Sequence, residues 1–215
     1  STAAATYAFT YSYTDGNNCT NTTTSSVVVK ALPTISTTAI SDHCEYDAAF
    51  DLTAYATPTG GSFSGSGVTL NKNFNPSAVA TDASTNVTYT YMDGNGCTNT
   101  ATLPIMVYAA PSITVAPVSA VCVGSAAFDL LPYVLPITGT FTGNHMTGSS
   151  FDPQESGSFT SIYNVSKNGC ITEKQIPIKV NELPTVALSL NSVACVNSGV
   201  ASVVTSPEGG KLWID

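Results

Sequence analysis

A long internal repeat constrains the fold of this chain more than any other feature of its sequence. The string Tyr-Ser-Tyr-Thr-Asp-Gly-Asn-Asn-Cys-Thr-Asn at residues 11–21 returns 78 residues later as Tyr-Thr-Tyr-Met-Asp-Gly-Asn-Gly-Cys-Thr-Asn at residues 89–99. The cysteines form two sets, each spaced by 78 and then 73 residues: Cys19, Cys97 and Cys170, and Cys44, Cys122 and Cys195. The chain is therefore an array of one module used several times.

The register of the repeat predicts the domain boundaries. Pro33, Pro111 and Pro184 keep the same spacing as the cysteines and mark the start of each module. We expect two complete repeats, the first repeat at residues 32–110 and the second repeat at residues 111–183. By the same register, residues 1–31 are the C-terminal part of a preceding repeat, and residues 184–215 are the N-terminal part of a following one.

The composition favours an extracellular protein. Charged residues make up 9% of the chain, the formal net charge is −8, and arginine is absent. Such a chain offers no basic surface to a nucleic-acid backbone or to anionic lipid, so we expect no nucleic-acid binding and no direct membrane insertion. The six cysteines show no CxxC or CxxH spacing, and their regular register indicates structural disulfides formed in an oxidising compartment.

The residue pattern predicts an all-β fold. Apolar and polar side chains alternate in residues 87–91, residues 93–96 supply turn chemistry, and residues 98–107 are extended again, which predicts a β-hairpin. Seven or so short strands in about 75 residues predict a small antiparallel Ig-like β-sandwich for each repeat. Short junctions that contain proline predict sandwiches arranged end to end. The core expected in the first repeat consists of Phe50, Leu52, Phe63, Phe74, Tyr89, Tyr91, Ile105 and Val107.

Each sandwich is expected to contain one intradomain disulfide. The shared register of the two cysteine sets pairs Cys44 with Cys97, and Cys122 with Cys170. A domain this small has a marginal core, and closing a loop of about 50 residues contributes roughly 4 kcal/mol by the loop-entropy relation. Two cysteines of the partial repeats are expected to be unpaired within the chain: Cys19 and Cys195.

The sequence predicts no catalytic residue. His43 lies beside Cys44, but the matching segment of the second repeat, Ala-Val-Cys-Val-Gly-Ser at residues 120–125, has no ligand side chain. We therefore interpret His43 as part of a solvated polar rim around a disulfide, and His145 as a residue of a surface loop. No Gly-x-Ser-x-Gly elbow occurs in a strand–turn–helix setting, so the chain is not expected to be an enzyme.

Two weaker candidate sites remain. Asp15 and Asp93 each open a turn with oxygen side chains at alternate positions, which calcium could use. A hairpin turn that needs Asn and Gly for positive φ explains the same residues, so we expect no metal and no other cofactor. Tyr55 and Tyr133 each lie three residues beyond a Phe-Asp-Leu motif. They are the candidate ligand-binding residues: an outward position in a shared groove would favour glycan binding, and burial would favour a spacer.

Several of these strings resemble a known family. The motif Tyr-Thr-Tyr-x-Asp-Gly-Asn-Gly-Cys-Thr-Asn, the linker Leu-Pro-Thr and the string Gly-Gly-x-Phe-Ser-Gly-x-Gly-Val are similar to Ig-like repeats of giant surface proteins in Bacteroidota. SprB-type gliding adhesins and other cargo of the type IX secretion system belong to this group. The resemblance implies display at the cell surface, export across the outer membrane, and adhesion or gliding. The second repeat departs from the pattern at residues 166–169.

Together these observations predict a non-catalytic repeat segment of a bacterial cell-surface adhesin, which serves as a stiff stalk or adhesive array. Its expected partners are neighbouring repeats, a surface polysaccharide or other adhesion substrate, and the type IX secretion machinery during export. One alternative is a module that binds a glycan through exposed aromatic residues. The other is an accessory domain of a secreted hydrolase.

Overall fold

The computed structural model describes residues 4–190, 203–207 and 209–211. Its contacts divide the chain into two compact units. The first unit contains the described residues up to Pro111 together with Ser166–Ile171, and the second contains Ser112–Val165 and the described residues from Thr172 onward. Residues 166–171 therefore belong to the second repeat by sequence and to the first unit by structure.

The described residues form strands throughout. The strands up to Tyr108 are β1 (Ala5–Thr14), β2 (Thr20–Val29), β3 (Ser36–Thr37), β4 (His43–Cys44), β5 (Phe50–Asp51), β6 (Ala56–Thr57), β7 (Ser62–Ser64), β8 (Val68–Thr69), β9 (Asn73–Phe74), β10 (Ala83–Met92) and β11 (Thr98–Tyr108). The later strands are β12 (Thr114–Val115), β13 (Val121–Cys122), β14 (Phe128–Asp129), β15 (Val134–Leu135), β16 (Thr140–Thr142), β17 (Met146–Thr147), β18 (Ser150–Phe151), β19 (Gly157–Lys167), β20 (Cys170–Asn181), β21 (Ala187–Leu190) and β22 (Val203–Ser206). The helical elements of the described part are three short 3₁₀ turns: Thr53–Tyr55, Pro76–Ala78 and Leu131–Tyr133.

The predicted all-β fold is confirmed, and the hairpin of residues 83–108 shows why it forms. In β10 and β11 the buried side chains fall at every second position, so Val87, Tyr89 and Ile105 point into the core while their neighbours are more exposed. This two-residue period is the pattern of a strand with one buried face. Pro104 is tolerated within β11 at an exposed position.

Each complete repeat builds the same two layers. One layer is a four-stranded sheet, in the order β4-β11-β10-β7 in the first repeat and β13-β20-β19-β16 in the second. The other contains a three-stranded sheet, β5-β9-β8 or β14-β18-β17. The sheets are antiparallel except at β4 and β13, which run parallel to β11 and β20. This parallel addition is a departure from the fully antiparallel sandwich that the sequence predicted.

The core of the first unit lies between its two layers. Six of the expected core side chains are fully enclosed: Leu52, Phe63, Phe74, Tyr89, Ile105 and Val107. Phe50 and Tyr91 are only partly buried and pack against this core. The second unit repeats the arrangement with a core of Ile113, Leu130, Val134, Phe151, Tyr163, Val165, Ile176, Ile178 and Val180.

The N-terminal hairpin keeps the register of the matching hairpin in the first repeat. Tyr13 of β1 pairs with Asn21 of β2, just as Tyr91 pairs with Asn99 in β10 and β11. Phe9 and Tyr11 are exposed, although the same positions are buried in the first repeat. The assignment of residues 1–31 to a preceding repeat stays a prediction.

The predicted disulfide pairing is wrong. Cys44 is bonded to Cys170, with 5.6 Å between their Cα atoms, whereas Cys97 and Cys122 are free thiols. Cys19 is also a free thiol, and Cys195 lies outside the described residues.

The sheet topology explains the error. Cys44 pairs with Tyr108 at the end of β11, whereas Cys97 immediately precedes the start of that strand. A strand of 11 residues spans roughly 35 Å at about 3.4 Å per residue, far beyond the Cα separation of about 7 Å that a disulfide tolerates. Cys122 and Cys170 are separated in the same way, because Cys122 pairs with Asn181 at the far end of β20.

Candidate functional site

The Cys44–Cys170 disulfide is the most distinctive chemical feature of the first unit. We call residues 42–47 the first rim, residues 120–125 the second rim, and the hairpin turns at residues 15–19, 93–97 and 166–170 the three tips. Cys44 is 9% exposed and Cys170 is fully enclosed, so the bond is shielded from solvent. It joins a rim of the first repeat to the tip of the second.

A hydrogen bond next to the disulfide supports the same contact. The backbone N–H of Ile171 donates to the phenol oxygen of Tyr46 at 2.7 Å. The ammonium of Lys167 lies 4.0 Å from a carboxylate oxygen of Asp82, and both side chains are substantially exposed. An exposed ion pair of this kind adds little stability, so the disulfide and the Tyr46 contact dominate the attachment of the tip.

The first rim is held in place by short-range hydrogen bonds. The N–H of Glu45 donates to the carbonyl of Tyr108, and the N–H of Asp47 donates to the carbonyl of Cys44. The Asp47 carboxylate in turn accepts from the N–H of Cys44 at 2.9 Å, and the Glu45 carboxylate accepts from the N–H of Ala110 at 2.9 Å. The two acidic side chains therefore cap backbone donors that fix the position of Cys44.

His43 is more enclosed than the sequence predicted. Its ring stacks on Phe50 with 4.3 Å between centroids, and its Nδ1 lies 3.2 Å from the Asp47 carboxylate. Its Nε2 is buried and has no partner in the described part of the chain. No group of three or more His, Cys, Asp or Glu residues that could bind a metal occurs among the described residues. His43 is thus a packed member of the first rim, and the expected solvated position around the disulfide is wrong.

The aspartates of the first two tips organise their turns. Oδ1 of Asp93 accepts from the N–H groups of Asn95 at 2.8 Å and Cys97 at 2.9 Å. Asp15 makes the same two bonds to residues 17 and 19. The hydrogen bond from the backbone of Cys97 is the main cause that lowers the pKa of Asp93, and the bond from Cys19 does the same for the pKa of Asp15. The expectation that neither aspartate binds calcium stays a prediction.

The two candidate tyrosines are half-buried, each beside the core of its own unit. The Tyr55 ring packs edge-on against Phe50, with 6.1 Å between centroids. Tyr133 packs against the core of the second unit and also lines a shallow groove of about 250 Å³ with Pro132 and Leu135. Each tyrosine lies in its own unit, and the role of Tyr55 and Tyr133 in ligand binding stays a prediction.

A buried tyrosine corner recurs in both repeats and was missed in the sequence analysis. The phenol of Tyr89 donates to the carbonyl of Pro58 and accepts from the N–H of Gly61 at 2.9 Å. Tyr163 makes the same pair of bonds in the second unit, to Pro136 and to Gly139 at 2.7 Å. The available signal was the recurrence of Pro, Gly and Tyr at matching positions of both repeats.

Comparison with known proteins finds likenesses to solved structures, three of which are remote. No family model matches the chain, and no curated protein matches it. Extracellular domains 3–5 of Drosophila OTK share 12% identity over 81% of this chain and 70% of that chain, with a TM-score of 0.37. A Ca²⁺-stabilized adhesin with which an Antarctic bacterium binds ice shares 13% identity over 88% of this chain and 60% of that chain, with a TM-score of 0.34.

An endo-fucoidan hydrolase of glycoside hydrolase family 107 shares 16% identity over 85% of this chain and 35% of that chain, with a TM-score of 0.25. Identities and TM-scores this low do not assign the chain to a family or a function. In the described residues, no helix has the length and apolar character needed to cross a membrane.

Proposed function

We propose that this chain is a non-catalytic repeat segment of a bacterial cell-surface adhesin, acting as a stiff stalk and adhesive array in surface attachment or gliding motility. The observation that carries the proposal is the disulfide between Cys44 and Cys170, which joins cysteines of two successive sequence repeats across a separation of 126 residues. The peptide backbone already joins successive repeats, and the disulfide adds a second connection that prevents the 126 residues between the two cysteines from extending under load, as a stalk requires.

The extracellular setting of this proposal rests on chemistry and on the sequence resemblance. A shielded disulfide persists in an oxidising compartment, and the low content of charged residues agrees with a secreted protein. The resemblance to repeats of Bacteroidota supports display on the exterior of the outer membrane after export by the type IX machinery. Neighbouring repeats and a surface polysaccharide are the proposed partners.

Surface display and attachment can be tested on intact cells that produce the protein. Antibodies raised against this chain should label cells that have not been permeabilised, and their Fab fragments should reduce attachment or gliding on a surface. Fab fragments against an abundant outer-membrane protein unrelated to attachment provide the control. Labelling only after permeabilisation, or full attachment in the presence of bound Fab, would contradict the proposal.

A glycan-binding module is the second candidate, and the groove beside Tyr133 is the observation that favours it. Its wall combines the half-buried ring with Pro132 and the exposed Leu135, an apolar surface on which a sugar ring could stack. Tyr133→Ala should abolish any binding measured on a polysaccharide array, and Tyr55→Ala tests whether the matching tyrosine of the first unit contributes. Equal binding by both variants and the unmodified chain would exclude this groove. An adjoining hydrolase domain in the parent protein would favour the accessory role.

A further inference from the structure

The second rim reproduces the backbone of the first rim bond by bond. Cys122 pairs in parallel with Asn181 as Cys44 pairs with Tyr108. The N–H of Val123 donates to the carbonyl of Asn181 at 2.9 Å, in the position of the bond from Glu45 to Tyr108. The following turn closes in the same way, by a bond from the N–H of Ser125 to the carbonyl of Cys122 at 3.2 Å. The backbone thus presents both cysteines in one geometry.

The two rims differ in the state of their cysteines. Cys44 is enclosed and bonded to a tip cysteine, whereas Cys122 is an exposed free thiol. Cys122 has the backbone arrangement of Cys44, which forms a disulfide, but Cys122 itself is not bonded. Its position is therefore suited to a bond with a cysteine of the same kind. The pairing of Cys44 with Cys170 defines that group as the tip cysteine of the repeat that follows in sequence.

We propose that Cys122 is a disulfide site for the tip cysteine of a further copy of this repeat, and that Cys19 of a second copy of this chain can occupy it. Cys19 has the same register as Cys170 within the repeat, and it is exposed at the end of a complete two-stranded hairpin. Cys97 has that register too, but it is partly buried. The inference goes beyond the proposed function, because it holds for any protein built from these repeats.

The bond needs an external oxidant of the disulfide class, such as oxidised glutathione. The Cys122 thiolate attacks the glutathione disulfide, forms a mixed disulfide and releases one glutathione thiolate. The Cys19 thiolate of the second copy then attacks the Cys122 sulfur and releases the second glutathione thiolate. One protein disulfide forms, one glutathione disulfide is reduced, and the two protons from the cysteines are taken up by the two glutathiones.

The second rim lacks the side chain that holds the tip in the first rim. The position of Tyr46 is occupied by Gly124, so no phenol is available to accept the N–H that follows the tip cysteine. His43 and Glu45 are replaced by Val121 and Val123. The contact at Cys122 is therefore expected to depend on the disulfide and on apolar packing more than the contact at Cys44 does.

Two variants of the whole chain test this proposal. Both carry Cys97→Ser and Cys195→Ser; one also carries Cys19→Ser and keeps Cys122, and the other carries Cys122→Ser and keeps Cys19. The two are given different affinity tags, mixed in a glutathione redox buffer and separated on a non-reducing gel. The mixed dimer should exceed each homodimer at least about tenfold, because a complementary contact raises the effective concentration of the two thiols. Peptide mapping should find Cys19 joined to Cys122.

The same mapping provides the folding control, since an intact Cys44–Cys170 bond in both variants shows that the first unit has formed. Homodimers as abundant as the mixed dimer would overturn the proposal, because they indicate random oxidation of exposed thiols. A Cys122 that stays a free thiol in the mixture would overturn it as well. A second measurement is independent of the gel: alkylation of Cys122 by iodoacetamide should slow when the copy that keeps Cys19 is added under oxidising conditions, and unchanged alkylation counts against the site.

Discussion

The two complete repeats have the same sheet order and the same tyrosine corner, yet their rims differ. In the first rim an enclosed cysteine is bonded and flanked by two carboxylates that accept backbone hydrogen bonds. In the second rim the matching cysteine is exposed, and its flanking residues are Val121 and Val123. The sheet topology therefore sets the position of the rim cysteine. The presence of a tip determines whether that cysteine is bonded and buried.

Removing a rim cysteine should have the largest effect on stability, and the effect should differ most between the two repeats. Cys44→Ser opens a loop of 126 residues, and by the loop-entropy relation it should lower the free energy of unfolding by about 5 kcal/mol. Cys122→Ser removes an exposed free thiol and should change stability by less than about 0.5 kcal/mol. Urea unfolding of both variants without reductant, followed by circular dichroism, measures the difference. Equal destabilisation by the two substitutions would show that the rims are not distinguished by their bonding state.

Substituting the glycine of each tyrosine corner by alanine should destabilise the two repeats equally, because the corner is the same in both. A Cβ added at Gly61 would lie 2.4 Å from the carbonyl oxygen of Thr90, and one at Gly139 would lie 2.3 Å from that of Asn164. Gly61→Ala and Gly139→Ala should each cost about 1–3 kcal/mol through overpacking against backbone. Gly94→Ala is the control, since no heavy atom lies within 4 Å of its added Cβ. A thermal shift for one corner variant but not the other would break the equivalence.

The hairpin formed by β10 and β11 shows what the sequence could and could not predict. The alternation in β10 and β11 is a local pattern, so these two strands and their buried Tyr89, Ile105 and Val107 were predictable from it. Tyr91 was expected in the core because it continues that alternation, but it lies near the end of β10 and is only partly covered. Alternation along a strand does not indicate where the opposite sheet stops covering that strand.

The disulfide was beyond the reach of the repeat pattern for a physical reason. In a periodic chain, the tip cysteine of one repeat and the tip cysteine of the next repeat occupy equivalent positions. Spacing alone therefore does not show whether a rim cysteine bonds within its own repeat or to the next one. Cys44 can therefore be assigned to Cys97 or to Cys170 with equal agreement. The choice depends on which end of β11 receives β4, and parallel addition of a two-residue strand leaves no periodic signal in the sequence.

Tyr46 offers a way to sharpen the difference between the rims. Tyr46→Phe removes the phenol oxygen that accepts from the N–H of Ile171 and leaves the ring in place. The loss of one such hydrogen bond is worth about 1 kcal/mol, so hydrogen exchange at Ile171 should speed up about fivefold. Amides in the middle of β20 serve as the internal control. Exchange at Ile171 that does not change would show that the disulfide alone holds the tip.

The tips should differ in their response to acid. The backbone hydrogen bond from Cys97 lowers the pKa of Asp93 below its ordinary value, so this carboxylate stabilises its turn at neutral pH. Its contribution is present above the unfolded pKa of about 3.9 and is lost as the pH falls through the lower pKa of the folded state. The second repeat's tip, residues 166–170, contains no carboxylate. Exchange at the Cys97 amide should accelerate relative to intrinsic rates below about pH 4, and Asp93→Asn should remove this dependence.

Adding calcium should have the smallest effect on stability, because the Asp93 carboxylate already accepts hydrogen bonds within its own turn. Oδ1 of Asp93 already accepts two backbone N–H bonds, and Oδ2 lies 3.3 Å from the side-chain amide nitrogen of Asn95. Calcium needs six to eight oxygen ligands, so binding here would require the turn to exchange these donors for further oxygens. We expect the unfolding temperature to be the same in calcium and in chelator, for the unmodified chain and for Asp93→Asn alike. A rise with calcium that Asp93→Asn abolishes would show that the first-repeat tip is a metal site, and would separate it chemically from the carboxylate-free tip of the second repeat.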